Sequence, residues 1–140
     1  NFLVVKSALQ ALQKLAQFHR LQFHYPVIGI TGSNGKTVVK EWLNFLLSDH
    51  FKIVRSPRSY NSQMGVPLIV WQMNAEYNLG IFEAGISEMN EMDALRKIIQ
   101  PEIGILTNIG DAHEKGFKNK RQKLKEKFWF LTGLKTSFIL

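Results

Sequence analysis

Tyr25-Pro26-Val27-Ile28-Gly29-Ile30-Thr31-Gly32-Ser33-Asn34-Gly35-Lys36-Thr37, running on into Val38 to Leu47, is the stretch from which the rest of the chain can be read. Its first part is a short apolar run with the look of a buried strand, and Val39, Trp42, Leu43, Leu46 and Leu47 then recur at helical spacing. A glycine loop therefore lies between a strand and a helix. In that setting Gly32, Ser33, Asn34 and Gly35 can turn backbone N–H groups onto phosphate oxygens, and the helix N-terminus adds positive potential. Lys36 supplies a neutralising charge and the Thr37 hydroxyl a magnesium ligand. The usual spacing of such loops places a glycine where Ile30 stands, with Gly29 and Gly32 on either side of it, so the loop is a variant. The competing reading is a glycine-rich turn with a chance lysine, and the flanking strand and helix argue against it.

Composition agrees with one folded unit: 140 residues, 45% hydrophobic and 11% aromatic, bury one core but not several. The absence of cysteine excludes disulfides and thiolate metal sites and is compatible with a reducing cytoplasm. No apolar run approaches the roughly 20 residues of a membrane span, and Asn1 to Leu9 lacks the layout of a signal peptide. A soluble protein is expected. Phe2, Val5, Leu9, Leu12 and Ala16 share a helical face, which predicts an amphipathic helix over residues 1–20. Strand candidates follow at Val27 to Thr31, Ile53 to Ser56, Leu79 to Glu83, Ile103 to Thr107 and Ser137 to Leu140, with helices between them. That alternation predicts an α/β fold whose parallel sheet is covered on both faces. Ligands in such sheets bind beyond the carboxyl ends of strands. The rule gathers the glycine loop, Arg55, Glu83 and Thr107 to His113 into one region.

Further motifs lie downstream in order: Asn61-Ser62-Gln63-Met64-Gly65-Val66-Pro67, Phe82-Glu83-Ala84-Gly85, Glu91-Met92, Thr107-Asn108-Ile109-Gly110-Asp111-Ala112-His113, and Lys127 before Phe128-Trp129-Phe130-Leu131. Together with Gly32-Ser33-Asn34-Gly35-Lys36-Thr37 this series, from Pro26 to Leu131, resembles the Mur ligases, the ATP-dependent amide-bond-forming enzymes of peptidoglycan synthesis. Ser62 stands where the family commonly has asparagine, and Asn90 where it commonly has glycine. The loop running into Val39-Lys40-Glu41 resembles the branch that adds D-alanyl-D-alanine to UDP-N-acetylmuramoyl-tripeptide. Arg55 to Gln63 resembles its form fused to an alanine racemase.

The resemblance implies a three-layer P-loop NTPase-like domain with a mainly parallel sheet at residues 25–140, and residues 1–24 as a leading helix and linker from an N-terminal domain. The chain starts without methionine and ends inside the apolar run Ile139-Leu140, which predicts a piece of a longer enzyme, cut short at the C-terminal end of this domain and inactive alone. ATP and Mg2+ are the implied cofactors, with Gly32 to Thr37 and Asn108 on the nucleotide. Lys36, Glu83, His113 and Lys127 carry the implied catalytic roles. Thr37, Glu83 and His113 are the implied magnesium ligands, joined by Lys127 if carbon dioxide carbamylates it and turns a cation into an anion. The implied reaction passes through an acyl phosphate that the amine of D-alanyl-D-alanine displaces, in the cytoplasm.

On pattern alone Glu83 is equally an exposed acid at a strand end or a helix-cap partner, and His113 is more readily a loop histidine than a ligand. Asn108 reads as a turn residue or as a hydrogen-bonder near phosphate. Lys115, Lys118, Lys120, Arg121, Lys123, Lys125 and Lys127 face the single acid Glu126 and account for most of the formal charge of +7. A nucleic-acid partner is one reading of this run. A solvated helix face is the preferred one, because no interleaved aromatics or reading motif accompany it, and no nucleic acid is expected. Lys123 and Lys125 are rival positions to Lys127. Two other functions fit: a folylpolyglutamate synthase-like ligase, and a basic P-loop ATPase acting on nucleic acid.

Overall fold

The computed structural model describes residues 2, 4–110, 117 and 119–140, with Lys120 described by its backbone alone. Helices and strands alternate as α1 (Ala8–Arg20), β1 (Val27–Thr31), α2 (Lys36–Leu47), β2 (Ile53–Arg55), α3 (Gly65–Val70), β3 (Leu79–Ala84), α4 (Glu91–Ile99), β4 (Ile103–Leu106), α5 (Lys120–Leu131) and β5 (Thr136–Ile139). The strands form one sheet in the order β2-β3-β1-β4-β5, with every neighbouring pair parallel. The five expected strands are present within one residue at each end.

Two-residue periodicity sorts the side chains of the sheet. Val27, Val54, Phe82, Ala84 and Leu106 point to one face, where they join the cores of α1, α3, α4 and α5 through Ala16, Val66, Ile69, Leu95 and Phe130. Ile28, Ile30, Leu79, Ile81 and Ile105 point to the other, against Val39, Leu43 and Leu47 of α2. The sheet is thus the middle of three layers. Ile30 and Ile81 are fully buried, each contributing about 1.5–3 kcal/mol by leaving water. Gly29 allows α5 to approach β1, since a Cβ there would lie 2.5 Å from the Phe130 ring.

Two helix expectations need correction. The first helix starts at Ala8, because the Ser7 side chain caps it by accepting from Gln10 N–H. Phe2 and Val5 precede it and are exposed, as is Leu9, while Ala16 and Arg20 are the buried residues of α1. Trp42 and Leu46 of α2 are also exposed. The stripe that meets the sheet runs through Val39, Lys40, Leu43 and Leu47, and the five apolar positions read from the sequence straddle two neighbouring faces. Among the described residues, no helix is long and apolar enough to cross a membrane.

Candidate functional site

The glycine loop emerges from β1, between the ends of β3 and β4, where the sheet order reverses direction around the central strand. Gly32 has φ of +143°, and a Cβ there would fall 2.0 Å from Thr107 Oγ1. Only glycine lets β4's end close over the loop in this way. Thr107 Oγ1 donates to Asn34 O at 2.5 Å, Ser33 N–H to Asn108 O at 3.0 Å, and Asn34 N–H to Asn108 Oδ1 at 2.9 Å. Asn108 is therefore a buttress of the loop backbone. Gly35, at φ 80°, begins α2, whose first residues are Lys36 and Thr37. The Lys36 ammonium folds back to donate to Gly32 O (2.9 Å) and Ser33 O (3.2 Å). Burial holds its pKa below the usual lysine value, a trend that Glu83 opposes and Lys123 reinforces.

Glu83 shares the parity of Leu79 and Ile81, so the pleat of β3 aims it at α2. It is fully buried, which removes the reading as an exposed strand-end acid. Its Oε2 accepts from Thr37 Oγ1 at 3.2 Å and from Asn61 Nδ2 at 3.3 Å, and its Oε1 faces the Lys40 ammonium at 2.9 Å. Asn61 reaches it because Gly85 has no side chain: a Cβ there would lie 2.6 Å from Asn61 Oδ1. Arg55 turns aside and pairs with Glu41 of α2 at 2.6 Å.

Lys127 arrives from α5, 4% exposed, with Nζ 3.4 Å from Ser33 Oγ. Desolvation, then the like charges of Lys36 and Lys123, lower its pKa to about 7. Lys123, one turn earlier and 3% exposed, donates to Gly110 O at 2.6 Å. The basic run is thus not a uniform solvated face: Arg121 and Lys125 are exposed, but Lys123 and Lys127 are buried against the loop. Gly32, Lys36, Asn61, Gln63, Ser87 and Lys127 line a small cleft of about 100 Å³. His113 lies outside the described residues, as do Asp111, Ala112, Lys115 and Lys118.

The profile of the Mur ligase middle domain matches residues 30–140. The chain belongs to the Mur ligase family. It is 41% identical over 112 residues to the UDP-N-acetylmuramoyl-tripeptide--D-alanyl-D-alanine ligase of Treponema pallidum, covering 79% of this chain and 24% of that protein. Its counterpart in Bacillus subtilis is 30% identical over 138 residues, covering 99% and 30%. The chain therefore spans about a quarter to a third of the length of these relatives. Among solved structures it resembles MurF ligase from Thermotoga maritima in complex with ADP (TM-score 0.90, 28% identity, 99% of this chain and 33% of that one). MurF from Acinetobacter baumannii is as similar (TM-score 0.90, 29% identity, 98% and 31%). A mutant of L. casei FPGS, 14% identical with a TM-score of 0.62 over 99% of this chain and 46% of its own, shares the fold.

In this Mur ligase domain the structure gives definite contacts to residues whose part in the site the sequence left open: Lys40, Asn61, Thr107 and Lys123. Lys40 left a signal, since it shares a helical face with Leu43 and Leu47, where a solvated lysine has no place. Asn61 and Thr107 lay in recognised motifs, but their partners belong to other strands. Lys123, a rival to Lys127 in the sequence, is buried while Arg121 and Lys125 of the same run face solvent.

Proposed function

We propose that this domain binds the phosphates of ATP and that the intact protein is an ATP-dependent ligase joining D-alanyl-D-alanine to UDP-N-acetylmuramoyl-tripeptide, a cytoplasmic reaction of peptidoglycan synthesis. The observation that carries the reading is the convergence of Lys36, Thr37, Glu83 and Lys127, from three separate elements, on one glycine loop. The relatives' names supply the substrates. Residues 25–140 form the ATP-binding domain and residues 1–24 its leading segment. The amine and nucleotide-sugar substrates have their main sites elsewhere in the intact protein.

Magnesium is the cation this donor set fits. Among the described residues, no three histidines, cysteines or acids cluster as an all-protein metal cage. A threonine hydroxyl beside one buried carboxylate is what Mg2+ uses when phosphates and water complete its shell, and Glu83 Oε2 is the oxygen that meets Thr37 Oγ1 at the loop. Thr37 Oγ1 and Glu83 would hold the ion, with a carbamylated Lys127 as a further anion across the loop. When bound, the ion neutralises charge on the β- and γ-phosphates. Lys36 swings from its two loop carbonyls to the transferring phosphoryl group and stabilises the charge that develops there. Loop N–H groups orient the phosphates, and the tripeptide's terminal carboxylate attacks the γ-phosphorus from the cleft side, breaking its bond to the bridging oxygen so that ADP leaves. The resulting acyl phosphate is opened by the incoming amine, with loss of phosphate.

The test is ADP release by the purified intact protein, which should require both the muramoyl tripeptide and D-alanyl-D-alanine and should vanish in Lys36→Ala while the fold survives. Activity on a folate with glutamate, in place of the muramoyl substrate, would replace this reading by the folylpolyglutamate one.

A further inference from the structure

Lys40 is fully buried on the sheet side of α2. Its ammonium stands 2.9 Å from Glu83 Oε1, with neither side chain exposed, and 3.3 Å from Glu41 Oε1, and it donates to the Arg58 carbonyl. Glu83 Oε1 takes no hydrogen bond, so its contact with Lys40 is an ion pair outside hydrogen-bonding angles. Oε2 instead receives both hydrogen bonds, from Thr37 and Asn61. The two oxygens of one carboxylate are therefore divided, one against a buried cation and one towards the phosphate loop. Arg58, in the left-handed region at φ 50°, lies within the turn that Tyr60 N–H closes onto Pro57 O just before Asn61, so the same ammonium also anchors that turn.

We infer that Lys40 is a positioning residue that sets metal selectivity: by holding Oε1, it leaves Glu83 a single oxygen for the cation and so favours Mg2+ over Ca2+ in the nucleotide complex. The inference rests on the phosphate and metal reading above. The chemistry is one of ligand count. Ca2+ takes six to eight oxygens at about 2.3–2.6 Å and readily accepts both oxygens of a carboxylate, whereas Mg2+ demands an octahedron at about 2.0–2.1 Å and keeps several waters. A carboxylate with one oxygen tied to a lysine suits the second ion. Removing the lysine frees Oε1 for two-oxygen coordination and leaves a buried anion without its partner, which a larger cation can then offset.

The experiment is calorimetric binding of β,γ-imido-ATP to the intact protein with Mg2+ or Ca2+ as the only divalent ion. Wild type should bind the analogue more tightly with Mg2+. In Lys40→Met the ratio of Ca2+-supported to Mg2+-supported affinity should rise about tenfold, while Lys40→Arg, which keeps a cation at Oε1, stays near wild type. A merely structural lysine would lower the melting temperature and weaken both complexes alike, so an unchanged ratio in folded Lys40→Met overturns the inference. If neither variant folds, wild type decides: Ca2+ supporting binding as well as Mg2+ overturns it, and a clear Mg2+ preference supports it. Binding that needs no divalent ion would instead sink the metal site itself.

Discussion

Gly32 and Thr37 hold neighbouring places in the loop for different reasons, and substitution separates them. Gly32→Ala forces a side chain into a backbone of φ +143° and onto Thr107 Oγ1, so a destabilisation of about 1–3 kcal/mol and loss of nucleotide binding are expected, read by urea unfolding and calorimetry. Thr37→Ala removes one hydroxyl whose present partner is Glu83. It should weaken nucleotide binding in magnesium more than binding without it, and equal weakening in both would rule out the hydroxyl as a metal ligand. Lys127 gives a pH signature. With a folded pKa of about 7 against the ordinary 10.5, the unfolded chain holds a proton at this site that the folded chain has lost throughout that window. Stability from this group therefore rises with pH between about 7 and 10.5 and is flat below. Lys127→Met should lack that part of the slope in urea midpoints taken from pH 7 to 10.

At the scale of elements, α5 shows how one helix carries two kinds of lysine. Lys123, Lys127, Phe130 and Leu131 fall on its buried side, while Arg121 and Lys125 face solvent. Replacing Arg121 and Lys125 together by glutamine should change stability by less than about 0.5 kcal/mol and leave ADP release intact. Lys123→Ala removes the donor to Gly110 O, on the segment that Ser33 also holds, and should cost about 1–3 kcal/mol along with much of the activity. Loss of activity in the exposed pair, with DNA affinity falling steeply as salt rises, would instead restore the nucleic-acid reading of this run.

For the molecule as a whole, α1 is fastened to the far end of the sheet layer by Arg20, whose buried guanidinium donates to the carbonyls of Ile99, Phe23 and Gln100. A cation at the C-terminus of α4 is well placed for that helix's dipole. Arg20→Met should lower global stability by about 1.5–3 kcal/mol, the worth of a hydrogen bond to a charged group, and leave nucleotide affinity unchanged, since no part of the cleft touches it. The strands, their order of appearance and the glycine loop were legible in the linear chain because they depend on local matters: apolar runs, helical spacing, and the need for backbone without side chains around phosphate. The choice of α2's face, the burial of Lys40, Lys123 and Lys127, and Asn108's service to Asn34 were not. Periodicity marks a stripe on a helix but says nothing of which neighbour covers it. A charged group's fate hangs on a partner from another strand, as Lys40's does on Glu83, and only the packed sheet brings the two together.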